Sequence, residues 1–118
     1  MKSKKPSKQR KLMHKAPLHK RQKFVHAHLS KELVKQYKKR SLGLRKGDEV
    51  KIVRGDFRGK TGKISKIDLK KSKIYIEGVN RKKTTGEDAS VAFAPSNIII
   101  TNPTMDDSKR KAVIQRVK

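Results

Sequence analysis

From Lys46 to Asn80 the chain reads KGDEVKIVRGDFRGKTGKISKIDLKKSKIYIEGVN, and this stretch decides the fold class. Val50 and Ile52 alternate with Glu49 and Lys51. Ile64 and Ile67 sit in a β-branched run ending at Asp68, and Lys73 to Glu77 runs Lys, Ile, Tyr, Ile, Glu with Ile74 and Ile76 facing one way. A period of two puts one face of an extended chain in a core and the other in water, so these runs read as strands. Turn residues separate them: Arg54 to Gly62 carries three glycines, and Leu69 to Ser72 is polar.

Toward the carboxyl terminus the pattern continues. Val91 and Phe93 alternate, Ile98 to Ile100 make a short apolar strand, and Gly86 lies in a charged loop between strands. Five short strands at this spacing predict a small, partly open five-stranded barrel in a mainly β chain. A body of about 55 residues is marginal for independent folding, so a bound partner and the flanking segments are expected to contribute to its order.

Charge marks off the flanks. Residues 1–40 hold 15 basic side chains and one acidic, a net of +14; residues 41–102 hold 14 against 7, and residues 103–118 hold 5 against 2. The expected organisation is a long basic extension over 1–40, the barrel over 41–102 and a short tail over 103–118. Like charges at this density repel, and Leu12, Met13, Leu18, Phe24 and Val25 are too few to form a core of their own. One stretch of the extension reads as a short helix from about Ser30 to Lys39. Ser30 can cap it, Glu32 lies in the first turn where the helix dipole favours a negative charge, and Leu33, Val34 and Tyr37 share a face. Leu29 and Val34 are spaced as a hydrophobic staple. In the tail, Asp106, Asp107 and Ser108 could start a short helix through Lys109 to Lys111.

Of the 118 residues, 34 are Lys or Arg and 10 are Asp or Glu, a formal net charge of +24, with 37% charged and 32% hydrophobic. A compact body with that charge repels itself, and a polyanion would relieve the repulsion. A membrane surface fits poorly as that polyanion, because the one amphipathic helix is short and no run approaches the ~18 apolar residues of a spanning segment. The amino terminus is basic with no apolar stretch behind it, which argues against a secretory signal. With no cysteine the chain forms neither a disulfide nor a thiolate zinc site, as suits a reducing cytosol.

Gly55 to Thr61 looks at first like a phosphate-binding loop, but three residues stand between the first glycine and Gly-Lys-Thr where that motif needs four, and a strand follows instead of a helix. Gly55, Gly59 and Gly62 fit better as turn glycines, supplying positive φ or room for another backbone. Arg54, Phe57, Arg58, Lys60 and Lys63 surround that turn with cations and one ring. Such a set can hold phosphates and stack on an unpaired base, although Phe57 could equally pack inward. His14, His19, His26 and His28 have no cysteine and many cations beside them, so phosphate or base contact suits them better than a metal. No acid, base and nucleophile set can be placed, and Asp48, Glu49, Asp56 and Asp68 read as partners of adjacent cations or turn caps. No enzyme, metal, cofactor, small-molecule substrate or homo-oligomer is expected.

Residues 46–80 closely resemble the KOW motif, which alternates apolar and polar residues about a required glycine, here Gly59. The segments APLHKRQKFVHAHLSKEL at 16–33, RSLGLRKGDEV at 40–50 and PSNIIIT at 95–101 resemble the archaeal and eukaryotic form of large-subunit ribosomal protein twenty-four, numbered twenty-six in eukaryotes. Ala94 departs from the family pattern, in which a histidine often precedes Pro-Ser-Asn. The resemblance implies an SH3-like barrel, binding to large-subunit ribosomal RNA near its 5′ end, a part in initiating subunit assembly, and a place near the peptide exit tunnel among neighbouring ribosomal proteins. It also implies a cytoplasmic, ribosome-bound protein. Expected RNA contacts are Lys4, Lys5, Lys8, Arg10, Lys11, His14, Lys15, His19, Lys20, Arg21 and Lys23 of the extension, then Arg40, Lys46, Arg54, Phe57, Arg58, Lys60 and Lys63, and finally Arg81, Lys82 and Lys83. The alternative is a transcription elongation factor whose KOW domain binds RNA polymerase; such factors usually carry a larger second domain.

Overall fold

A computed structural model describes residues 3–116. In chain order the elements are α1 (Pro6–Lys15), α2 (Leu18–Arg21), β1 (His26–Leu29), α3 (Lys31–Tyr37), β2 (Ser41–Gly43), β3 (Glu49–Ile52), β4 (Thr61–Asp68), β5 (Lys73–Lys82), β6 (Asp88–Phe93), β7 (Ile98–Asn102) and α4 (Ser108–Gln115). Short 3-10 turns at Gln22–Phe24 and Pro95–Asn97 precede β1 and β7.

The chain is mainly β, and the five expected strands form as β3 to β7. The expected five-stranded barrel does not. The strands lie in one open seven-stranded sheet in the order β2-β1-β7-β3-β4-β5-β6, whose two edges, β2 and β6, are not paired to each other. β1 is the physical reason. It pairs parallel with β7 (His28 opposite Ile99, Leu29 opposite Ile100) and antiparallel with β2 (Ala27 opposite Leu42). It therefore occupies the β7 edge that closure would have used, and it satisfies the backbone groups there.

In sequence β1 is hidden, because it is four residues long and its outward positions are histidines in a basic run. Its alternation is nonetheless regular, with Ala27 and Leu29 buried and His26 and His28 exposed. Val25, Ala27 and Leu29 join Leu42, Val50, Ile52, Ile64, Ile74, Ile76, Val79, Phe93, Ile98 and Ile100 in a single core. Of the apolar residues too few to form a core of their own, Val25 packs against the strands, while Met13, Leu18 and Phe24 stay exposed. Fully burying one such side chain is worth about 1.5–3 kcal/mol.

The helix α3 forms as its cap predicts: the Leu33 N–H donates to the Ser30 hydroxyl oxygen at 3.4 Å. Leu33, Val34 and Tyr37 lean on the core. It stops at Tyr37 because Lys38 turns left-handed at φ 51. In the tail, Asp107 caps α4 by accepting from the Lys109 N–H at 2.8 Å, and the helix runs on to Gln115.

The helix α1 is an addition to the expected elements. Pro6 opens it at a position that lacks an intrahelical N–H partner in any case, straight-chain residues fill it, and His14 and Lys15 suit its negative end. Pro17 ends it by pushing Ala16 into extended backbone. None of its residues is buried.

Candidate nucleic-acid interface

The turn between β3 and β4 is held rigidly. The Gly59 N–H donates to the Ile52 carbonyl at 2.8 Å, and the Ile52 N–H donates to the Lys60 carbonyl at 2.9 Å. Inside that clasp the Arg58 N–H reaches the Gly55 carbonyl at 3.1 Å. Gly55 (φ +95) and Gly59 (φ +91) adopt the left-handed backbone that the turn needs. Gly62 works differently. It lies in β4, where an added Cβ would come within 2.7 Å of Ile76 and 2.9 Å of the Glu77 carbonyl, so it provides room for a crossing chain.

On this turn Arg54, Arg58 and Lys60 are exposed. Phe57 points inward, half-buried, and meets Phe93 edge to face at 6.1 Å between ring centres. The Lys60 ammonium lies 5.2 Å from its ring centre and the Arg81 guanidinium 5.9 Å. Phe57 therefore both packs and holds two of the expected cations in place. Arg81 also pairs with Asp56, tying the β5–β6 hairpin to the turn. At the hairpin's tip Lys83 pairs with Glu87 at 3.1 Å, while Lys82 is exposed. Lys63 lies 3.9 Å from Glu49 on the neighbouring strand, and Lys46 and Arg40 are exposed on loops flanking β2.

Lys5 precedes α1, and Lys8, Arg10, Lys11, His14 and Lys15 are on it, all exposed; Lys4 is exposed just before. His19 and Lys20 project from α2 and Lys23 from the following turn. Arg21 is spent internally. Its guanidinium donates to the carbonyls of Ala16 at 2.8 Å, Lys70 at 2.7 Å and His14, fastening the end of α1 to the β4–β5 turn. Although His26 is exposed as a residue, partial desolvation of its ring holds the imidazole below its ordinary pKa. Among the described residues no group of three or more metal-ligating side chains is found, and no helix is long and apolar enough to cross a membrane.

Two features are not legible in the sequence. The first is a buried ion pair: Arg110 of α4 meets Asp48 with both terminal nitrogens at 2.7 Å, Asp48 being 0% and Arg110 4% exposed. Asp48 also accepts from the Arg45 and Thr104 N–H groups at 2.8 and 2.9 Å, and Arg110 donates to the carbonyls of Thr104 and Gly43 at 2.9 and 3.0 Å. The tail is thereby bolted to the sheet. The residues are 62 positions apart, so no local pattern announces the pair. The second is an open groove of about 430 Å³ between the turn and the β5–β6 strands, which adds Lys73 and Asn97 to Arg54 and Arg81. A polar residue at a strand end carries no signal of that kind.

Two carboxylates are held below their ordinary range by backbone donors. The Lys71 N–H does this for Asp68 at the β4–β5 turn; for Asp107 it is the Lys109 N–H, with Arg45 beside it as an ion-pair partner. Both read as structural caps, in keeping with the expectation for acids of this chain.

A family model for the eukaryotic ribosomal proteins L26 and their archaeal L24 counterparts matches residues 3–117. The chain is 46% identical over 116 residues to the large ribosomal subunit protein uL24 of Methanothrix thermoacetophila, covering 98% of this chain and 100% of that one. It is 42% identical to the uL24 proteins of Methanosphaera stadtmanae, over 97% of both chains, and of Korarchaeum cryptofilum, over 98% of this chain and 88% of that one. A match along nearly the whole length, through turn, sheet and tail alike, decides between the two KOW-bearing classes. The chain belongs to the family of ribosomal proteins called L26 in eukaryotes and L24 in archaea.

Proposed function

We propose that the protein binds large-subunit ribosomal RNA near the 5′ end of that RNA, helps to initiate assembly of the subunit, and sits near the peptide exit tunnel beside other ribosomal proteins. It does so as a ribosome-bound protein of the cytoplasm. The observation that carries this reading is the pairing of a rigid cationic turn with a cationic helix that buries nothing. A turn clasped by reciprocal backbone bonds holds Arg54, Arg58 and Lys60 in fixed positions, as recognition of a folded RNA's phosphates requires. The segment from Lys4 to Lys15 supplies charge without shape, and it can follow a groove. In this division of labour the extension over 1–40 attracts, the body over 41–102 sets register, and the tail over 103–118 braces the body.

Competition between the folded 5′ region of large-subunit RNA and a scrambled RNA of equal length tests the assignment. Arg58→Ala and Lys60→Ala should each lower the preference for the folded RNA, one hydrogen-bonded phosphate being worth on the order of 1 kcal/mol. Replacing Lys4, Lys5, Lys8 and Lys11 by Gln should weaken both RNAs nearly alike. Undiminished preference in the turn variants, with preference abolished in the helix variants, would reverse the two roles.

A further inference from the structure

We propose that the groove beside the β3–β4 turn is a receptor for one unpaired nucleotide of the bound RNA, its phosphate held by Arg54 and Lys73 and its base edge read by Asn97. This rests on the RNA-binding reading above and narrows it to a ligand. The groove, of about 430 Å³, lies where the turn leans over β5 and β6. That volume is within the roughly 300–1,000 Å³ of small-molecule sites, and an open mouth suits a residue still attached to its strand. Its lining includes small apolar residues such as Ala89 and Ala92 together with the rings of Phe57 and Phe93, so a flat base would meet apolar and aromatic surface.

The polar groups are placed for a nucleotide and not for a bare anion. Asn97 is fixed by its backbone, its N–H donating to the Ala94 carbonyl at 3.0 Å and its own carbonyl accepting from the Val53 N–H at 2.9 Å. Its side-chain amide makes one hydrogen bond among the described residues, accepted from the Ser96 hydroxyl at 3.4 Å. An amide offers a donor and an acceptor side by side, the combination that matches the edge of a base. Arg54 and Lys73 supply two cations at the rim. Arg81 is a third but is paired with Asp56, both largely exposed, so a phosphate entering the groove competes with Asp56 for it. A double helix presents no free base edge to such a site, which would make the groove selective for single strands.

The test uses full-length isotope-labelled protein and three probes: an unpaired mixed-sequence RNA of roughly eight nucleotides, within the length a small β domain covers, a fully paired RNA of the same length, and a polyglutamate peptide. Work at about 0.3 M salt suppresses weak phosphate contacts. The single strand is expected to shift the Asn97 side-chain amide resonance, with the duplex and the peptide leaving it in place. Asn97→Ala should weaken single-strand binding about fivefold, the effect of removing one hydrogen bond, and Asn97→Asp, which keeps the shape but repels phosphate, should weaken it more. Neither should alter duplex binding by more than about twofold. Asp56→Asn, which frees Arg81, should tighten single-strand binding about two- to threefold, the usual worth of an exposed ion pair. Equal weakening for both RNAs, or none, with thermal midpoints unchanged, overturns the nucleotide receptor while leaving RNA binding intact. So does a polyglutamate shift of Asn97 equal to that of RNA, which would make the groove a general anion surface. Absence of binding to either RNA overturns the underlying reading together with the receptor.

Discussion

Three glycines that look alike in sequence serve two different purposes. Gly59 and Gly86 both have φ close to +90, and neither has an atom within 4 Å of where a Cβ would stand. A side chain at either position therefore meets backbone strain and no clash, at a cost on the order of 1–3 kcal/mol. Lying in a charged hairpin loop gives Gly86 no relief from this strain. Gly59→Val and Gly86→Val should lower the thermal midpoint by similar amounts, measured by calorimetry. Gly62 is the stricter position, since even alanine would press on the Glu77 backbone at 2.9 Å. Gly62→Ala should cost more than Gly59→Ala; a Gly62→Ala midpoint equal to the parent's would show that β4 and β5 can part without penalty.

At the scale of elements, α4 is attached by charge. Removing one partner of a buried pair leaves the other uncompensated, at about 3–5 kcal/mol. Arg110→Met and Asp48→Asn should each lower the midpoint sharply in chemical denaturation, and the double variant Asp48→Leu with Arg110→Met should recover part of the loss. Additive losses in the double variant would deny the coupling. Asp107 adds a pH dependence. Its folded pKa lies below the unfolded value, so its ionised form contributes stability above about pH 3.9, and this is lost as pH falls through the folded value. Asp107→Asn keeps a capping oxygen and removes the charge. The midpoint gap between this variant and the parent should therefore be present at neutral pH and vanish in acid; a gap independent of pH would mean that the charge does nothing.

For the whole molecule, membership of a family of ribosomal structural proteins settles the question of catalysis: the protein is not an enzyme. Its charge of +24 is distributed so that the most basic part is only half detachable. Deleting residues 1–40 would remove β1, and with it Val25, Ala27 and Leu29 from the core. Deletion of residues 1–15 stops short of Ala16, the first buried position among the described residues, and takes away seven Lys and Arg. The shortened protein should keep its fold. Its affinity for RNA should fall less steeply with salt, by about 0.7–0.9 in log-log slope for each phosphate no longer neutralised. Titrations at several salt concentrations give the slopes directly, and identical slopes would make α1 a bystander.

The sequence by itself determined the strands β3 to β7, because alternation at a period of two is local and Ile and Val at those positions can satisfy it only by facing a core. It determined α3 down to its cap, the excess of positive charge and the glycine turn, each a matter of composition or of neighbours in the chain. Tertiary structure decided the rest. Whether the sheet closes depends on what reaches the free edge of β7, and β1 arrives there through contacts that no window of sequence contains. Arg21, Phe57 and Arg110 stand in the sequence as two more cations and a ring of a basic chain, yet Arg21 is a clasp, Phe57 a wedge and Arg110 a buried bolt. A side chain's partners are fixed by distance in space, and only the folded chain sets those distances.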